Sequence, residues 1–325
     1  MNTAYLYEHI QNDLQAVEDK LSSIGSQSSF QEPSLLLDLL GHILDSPGKR
    51  TRPAITILAS KFHPSDHDLP IIMAAAVELL HIATLIHDDT VDNSAVRRGK
   101  ETVSTKWGEN VAILLGDYVF ASSATLVCDT QNIRVIRRFS ETIMELSSGE
   151  LAEISSAFNW NVSRESYWKR IYEKTASLFC TAAESGAVLS GAPEDLVQSL
   201  KSYGYSLGMA FQIVDDILDF QGSEEEVGKP VGNDLLQGTL TLPSILLMER
   251  YPNDNPIKDL FQDGGSGIKL KRTIEMVQNS DIIPKSYSIA ADLCYKATQA
   301  LEPLGNSAHR QSLADMATYV IERRQ

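Results

Sequence analysis

Basic residues are scarce in this 325-residue chain: 28 Lys and Arg stand against 43 Asp and Glu, a formal charge of −15. That balance excludes a broad nucleic-acid-binding face or an affinity for anionic membrane surfaces, and it leaves any anionic ligand dependent on local cations or metal ions. Cysteine is scarcer still. Cys128, Cys180 and Cys294 are odd in number, scattered and without CxxC spacing, which excludes a disulfide framework and a zinc site and makes a reducing cytoplasm the expected setting. The N-terminus lacks a basic start followed by an apolar stretch, so no signal peptide is expected. The longest apolar stretch, Ile71 to Ile86, is broken by Glu78 and His81 and falls short of the roughly 18 residues of a membrane span, so no integral membrane segment is expected.

Convincing alternating strands with hairpin turns are also missing, whereas helical periodicity runs through nearly the whole chain. The expected class is all-α: a bundle of about a dozen helices with short connections. Gly, Pro, Asn and Ser punctuate the pattern, for example at Ser46-Pro47-Gly48, Asn93 to Lys100 and Gly222 to Gly232, but no stretch is long or biased enough to be a linker. One domain over 1–325 follows. Apolar residues at 43% and charged residues at 22% suit an ordinary folded domain.

Two segments, Leu69 to Ile86 and Tyr203 to Leu218, are apolar on most faces and belong at the centre of a bundle. Each ends in the same acidic pentad, Asp88-Asp89-Thr90-Val91-Asp92 and Asp215-Asp216-Ile217-Leu218-Asp219. Carboxylates at the ends of core helices are costly unless cations compensate them. The first and last aspartates of a pentad share a helix face about 6 Å apart, a spacing suited to divalent ions. Magnesium commonly combines a few carboxylates with phosphate oxygens and water, so two facing pentads would hold a diphosphate between them. One DDxxD alone reads equally as a solvated helix end; two copies, each after a core helix, favour the ion site.

Cations stand where an anion clamp needs them: Arg97-Arg98-Gly99 follows the first pentad, and Gly48-Lys49-Arg50-Thr51-Arg52-Pro53 precedes a helix start. Taken singly, each of these clusters reads more readily as a solvated face. Lys174-Thr175, Gln212 and Gly228-Lys229-Pro230 are unremarkable alone, and His81 by itself reads as a core histidine.

Together, in order and spacing over almost the whole chain, these segments resemble the trans-isoprenyl diphosphate synthases, or polyprenyl synthetases. The resemblance adds His81-Ile82-Ala83-Thr84-Leu85-Ile86-His87 before the first pentad, Gly116-Asp117-Tyr118, Phe211-Gln212-Ile213-Val214 and Thr241-Leu242-Pro243. It implies the isoprenoid synthase-type bundle around a central apolar cavity. It also implies that Asp88 and Asp92 bind two magnesium ions and Asp215 a third, with Asp89, Asp216 and Asp219 supporting. Arg97, Lys174, Thr175, Gln212 and Lys229 match positions contacting an allylic diphosphate such as farnesyl or geranylgeranyl diphosphate. Lys49, Arg52, His81 and Arg98 match positions gripping isopentenyl diphosphate. The implied reaction is head-to-tail (1'-4) condensation, with Asp88, Asp92, Lys174, Asp215 and Lys229 as the catalytic set and a homodimer as the common assembly. Three positions depart from the family pattern: Pro47 replaces a glycine, Thr239 a lysine and Glu153 a glutamine.

Product length is expected to depend on what blocks an apolar tunnel running back from the first pentad. Ala83 and Thr84 stand where short-chain members place an aromatic, and Ala76 lies two turns behind Ala83, so a long-chain all-trans product is expected. Leu79, Leu80 or Phe120 could form the floor. Shorter-product synthases and a subunit of a heteromeric synthase are the alternatives; a terpene cyclase is disfavoured by the intact second pentad.

Overall fold

The computed structural model describes residues 4–25, 33–45, 48–63, 68–221, 231–262 and 267–323. It is all-α, with 79% of the described residues helical, as the periodicity requires. The chain divides into two compact units, each assembled from separate stretches: Met1–Phe139, Ala182–Leu200 and Leu304–Ser312 in the first, and Ser140–Thr181, Lys201–Pro303 and Leu313–Gln325 in the second.

The first unit contains α1 (Gln11–Ser22), α2 (Pro33–Leu44), α3 (Thr51–Ser60), α4 (Asp68–Val91), α5 (Val103–Trp107) and α6 (Glu109–Asp129). α4 is the core element. Met73 to Leu80 are buried without interruption, followed by Ile82, Ala83 and Ile86, and the helix packs against α6, α3 and α1. Interhelical contact is close: a Cβ on Gly186 of α9 (Ser177–Leu189) would lie 2.2 Å from the Thr56 carbonyl oxygen of α3. α4 extends beyond the apolar stretch Ile71 to Ile86 at both ends, and α6 is comparably apolar. Over 24 and 21 residues, with mean hydropathy 2.1 and 1.8 in their most apolar windows, both are long and apolar enough to cross a membrane by length and composition. Glu78 and His81 interrupt the apolar run but not the helix, which continues past Ile86 to Val91. The α4 window is 67% buried inside the protein and the α6 window 33%.

The ending of α4 is written in its sequence. Asn93 takes a left-handed conformation with φ 51°, Ser94 N–H donates to the Asp89 carbonyl and Asn93 N–H to that of Thr90, a Schellman closure that stops the helix directly after the pentad. The chain then forms a two-residue hairpin, β1 (Val96–Arg97) against β2 (Lys100–Glu101). Arg98 and Gly99, at φ 50° and 77°, supply the positive-φ pair such a turn demands. The sequence reading expected no strands; a pair two residues long carries no period-2 signal.

The second unit contains α8 (Arg164–Ile171), α11 (Asn233–Leu236), α12 (Leu242–Arg250), α13 (Ile257–Gln262), α14 (Gly267–Gln278) and α15 (Ile282–Ala300). α7 (Ile133–Ser156), α9, α10 (Glu194–Gln221) and α16 (Ala308–Glu322) contribute residues to both units. Between α8 and α9, Tyr172–Ala176 forms a π turn, a wide helical turn often found at functional sites. Gly149 of α7 lets it approach: a Cβ there would stand 2.8 Å from the Lys174 backbone nitrogen.

Candidate functional site

In the first unit the pentad occupies the C-terminal end of α4, where the helix dipole already disfavours negative charge. Asp88 is half-buried, Asp89 buried and Asp92 exposed. The hairpin folds Arg97 back so that its Nε sits 2.7 and 2.8 Å from the two Asp89 oxygens. The Arg97 guanidinium thus balances the Asp89 charge, and Asp88 and Asp92, four residues apart, share a helix face.

Behind the pentad lies a cleft lined by His81, Ile82, Asp89, Arg97, Arg98 and Lys100, with Arg50 and Glu78. His81 is held well below its ordinary pKa, first by burial and then by the positive charges of Arg52, Arg98, Arg97 and Arg50. A neutral imidazole among four guanidinium groups marks an electropositive cleft in an acidic protein, where anions are favoured. Arg50 is tied down by Glu18 and Glu78, at 2.5 and 2.6 Å, so its charge is balanced. Lys49 is exposed and Arg52 half-buried at the start of α3. Glu18 and Glu78 were invisible to motif reading because they act only by bracing Arg50.

Ala76, Leu79, Leu80 and Ala83 are buried to within 1% on α4. Thr84 is half-buried, its hydroxyl donating to the His81 carbonyl. α6 crosses α4 near Gly116, where a Cβ would fall 2.2 Å from His87 Nε2; this explains the glycine in Gly116-Asp117-Tyr118.

In the second unit the other pentad ends α10. Asp216 is buried, and its oxygens accept from Tyr167 Oη at 2.6 Å and Gln212 Nε2 at 2.8 Å. Gln212 in turn accepts from the Thr175 hydroxyl at 2.6 Å. Burial, reinforced by the Asp234 charge, raises the Asp216 pKa to about 7; the same two causes raise that of Asp219. Asp219 accepts the backbone N–H groups of Asn233 and Asp234 at the start of α11. Asp215 lies 2.5 Å from Arg323.

Lys174 rides on the π turn, its Nζ 2.6 Å from Glu153 and 2.8 Å from Glu150. Burial opposes its charge, but the two carboxylates prevail and raise its pKa. Glu153 also lies 3.6 Å from buried Arg170, which gives the departure at this position a role. Tyr167, Glu150, Arg170, Asp234 and Arg323 escaped sequence reasoning; none sits in a recognisable motif. Lys229 and Pro47 lie outside the described residues.

All donors in both pentads are carboxylate oxygens, the hard ligands that magnesium and calcium prefer. Among the described residues no group of three or more His, Cys, Asp or Glu is arranged to hold a metal by itself. The donor set therefore suits a hard divalent cation.

An all-α chain with carboxylate sets ending two core helices and a guanidinium-lined cleft is an enzyme-like scaffold for charged diphosphates. Residues 33–277 match the polyprenyl synthetase family model. A prenyl transferase of Synechocystis sp. is 36% identical over 99% of both chains, and heptaprenyl diphosphate synthase component 2 of Bacillus subtilis is 35% identical over 98% of this chain and 90% of its own. A Caulobacter crescentus polyprenyl synthase, solved with calcium and isoprenyl diphosphate, superposes with a TM-score of 0.90 at 31% identity, covering 100% of this chain and 98% of that one. The chain belongs to the polyprenyl synthetase family.

Proposed function

We propose that this protein is a trans-polyprenyl diphosphate synthase that joins isopentenyl diphosphate head to tail to an allylic diphosphate, farnesyl or geranylgeranyl, and elongates it to a long chain. The observation that carries the reading is the cleft lined by His81, Arg50, Arg97 and Arg98, adjoining the pentad that carries Asp88 and Asp92. Carboxylates call for a metal-bound diphosphate, and guanidinium groups for one held directly. Two diphosphates in one enzyme mean condensation rather than hydrolysis.

Lys49, Arg52, His81 and Arg98 grip the isopentenyl diphosphate, His81 giving a neutral N–H donor. Arg97, Lys174, Thr175, Gln212 and Lys229 hold the allylic diphosphate, while Asp88, Asp92 and Asp215 are the principal ion ligands with Asp89, Asp216 and Asp219 in support. Magnesium, three ions in this reading, supplies positive charge to the departing diphosphate. Tyr167 and Gln212 fix Asp216, and Glu150 and Glu153 fix Lys174, so both charges are oriented before substrate arrives. The apolar face of α4 with Ala76, Leu79, Leu80 and Ala83 shelters the growing chain from water. No side-chain nucleophile is required.

Small side chains at Ala76 and Ala83 support a product of about six to ten isoprene units, because neither position blocks the way along the α4 face. A homodimer is the assembly proposed; the relative named as component 2 of a heptaprenyl synthase supports a second reading, the catalytic part of a heteromer. A cytoplasmic location is supported by three free cysteines, two of them buried. The test is diphosphate release by the purified chain with magnesium. Release that requires both substrates is expected; release from the allylic diphosphate alone would mark a hydrolase and overturn the reading. Turnover appearing only with an added second component would select the heteromer.

A further inference from the structure

Arg323 follows directly on α16, and its backbone N–H still donates to the Tyr319 carbonyl, so it continues the helical path. Its guanidinium reaches Asp215 Oδ1 at 2.5 Å and stacks over the Phe211 ring, 4.5 Å from the centroid. Phe211 lies one turn before Asp215, so one guanidinium covers both on the same face of α10. The side chains are 18% and 34% exposed, neither sealed in the core nor freely solvated.

We infer that Arg323 is a resident counter-ion that occupies Asp215 when no divalent cation is bound and must leave for the cation to enter. The inference rests on the proposed role of Asp215 as an ion ligand. The aspartate sits on α10 six residues before its last residue, Gln221, one residue from the buried carboxyl of Asp216, and this local density of carboxyl groups favours a cation. Asp89, Asp216 and Asp219 are held by Arg97, by Tyr167 with Gln212, and by backbone N–H groups. Asp215 is held by the Arg323 guanidinium. A magnesium ion on its carboxylate oxygen, at about 2.1 Å with a filled octahedral shell, leaves no room for a guanidinium on the same oxygen and repels it. The displacement is local: Val320 is buried, and α16 is pinned further back where Tyr203 Oη donates to the Leu313 carbonyl. Ion binding at the second pentad is thereby linked to release of the last turn.

The test needs no isoprenoid, so it is independent of whether the chain condenses prenyl diphosphates. Mn2+ binding is titrated by electron paramagnetic resonance with inorganic diphosphate present, in wild type, Arg323→Gln and Arg323→Lys. Removing a charge-assisted, half-exposed pair predicts about five- to tenfold tighter binding in Arg323→Gln and a smaller change in Arg323→Lys. Hydrogen exchange in wild type should speed up in the C-terminal peptide when Mn2+ and diphosphate are added. Equal or weaker Mn2+ binding in Arg323→Gln, no ion binding in any form, or unchanged exchange would overturn the inference.

Discussion

Gly149→Ala tests how Lys174 is placed. Glycine inside a helix costs about 1 kcal/mol relative to alanine, so its presence in α7 needs a reason, and the π turn supplies one. An added Cβ would meet the Lys174 backbone nitrogen at 2.8 Å, Glu173 Cβ at 3.1 Å and the Glu173 carbonyl carbon at 3.2 Å. Relief requires the turn to withdraw by roughly 0.6 Å to reach ordinary carbon contact distances. Overpacking typically costs about 1–3 kcal/mol, and the helix-propensity gain returns about 1, a net loss of ~0–2 kcal/mol. For a chain of this size that lowers Tm by only a few degrees. Activity should suffer more, since a misplacement near 1 Å costs on the order of 100-fold and Lys174 moves with the turn. Steady-state kinetics should show kcat/KM for the allylic diphosphate down by about tenfold or more, with KM for isopentenyl diphosphate nearly unchanged. A variant folded like wild type with kinetics within about twofold would refute the placement of Lys174 by this contact.

Ala83→Phe should shorten the product, read by mass spectrometry; unchanged length would sink the tunnel assignment. Tyr167→Phe removes a hydrogen bond from a buried carboxylate and should cost about 1–3 kcal/mol in urea unfolding, and a midpoint equal to wild type would contradict the role given to Tyr167. The pH dependence has a definite sign. Asp216 has a folded pKa of about 7 against an unfolded 3.8, so its contribution is fully present below the unfolded value and is lost as pH climbs through 7. Magnesium-free protein should therefore lose stability at this group as pH rises to about 7, and the loss should shrink in Asp216→Asn to the part that Asp219 contributes; an equal pH profile in that variant would refute the assignment.

What was legible in the sequence was local. Apolar all-round helices ending in acids located α4 and α10, and the break from Asn93 to Lys100 marked where the chain turns to return Arg97 to Asp89 eight residues away, though not that the turn is a hairpin. What was hidden is long-range pairing. Tyr167 meets Asp216 across 49 residues and Arg323 meets Asp215 across 108, distances over which no periodicity carries a signal. The π turn was equally hidden, because one wide turn does not disturb an apolar pattern read in windows. Asp216 illustrates the difference between motif and geometry: the pentad named it a supporting ion residue, while the structure commits its oxygens to Tyr167 and Gln212.

The most direct test is mass spectrometry of what the purified chain makes from isopentenyl diphosphate and farnesyl diphosphate with magnesium, alone and with any second component, alongside Asp88→Ala and Asp215→Ala. The account predicts all-trans polyprenyl diphosphates of about six to ten isoprene units, abolished by a chelator and lost or severely reduced in both variants. Products no longer than four units would contradict the long-chain claim, and full activity without Asp88 or Asp215 would contradict the site itself.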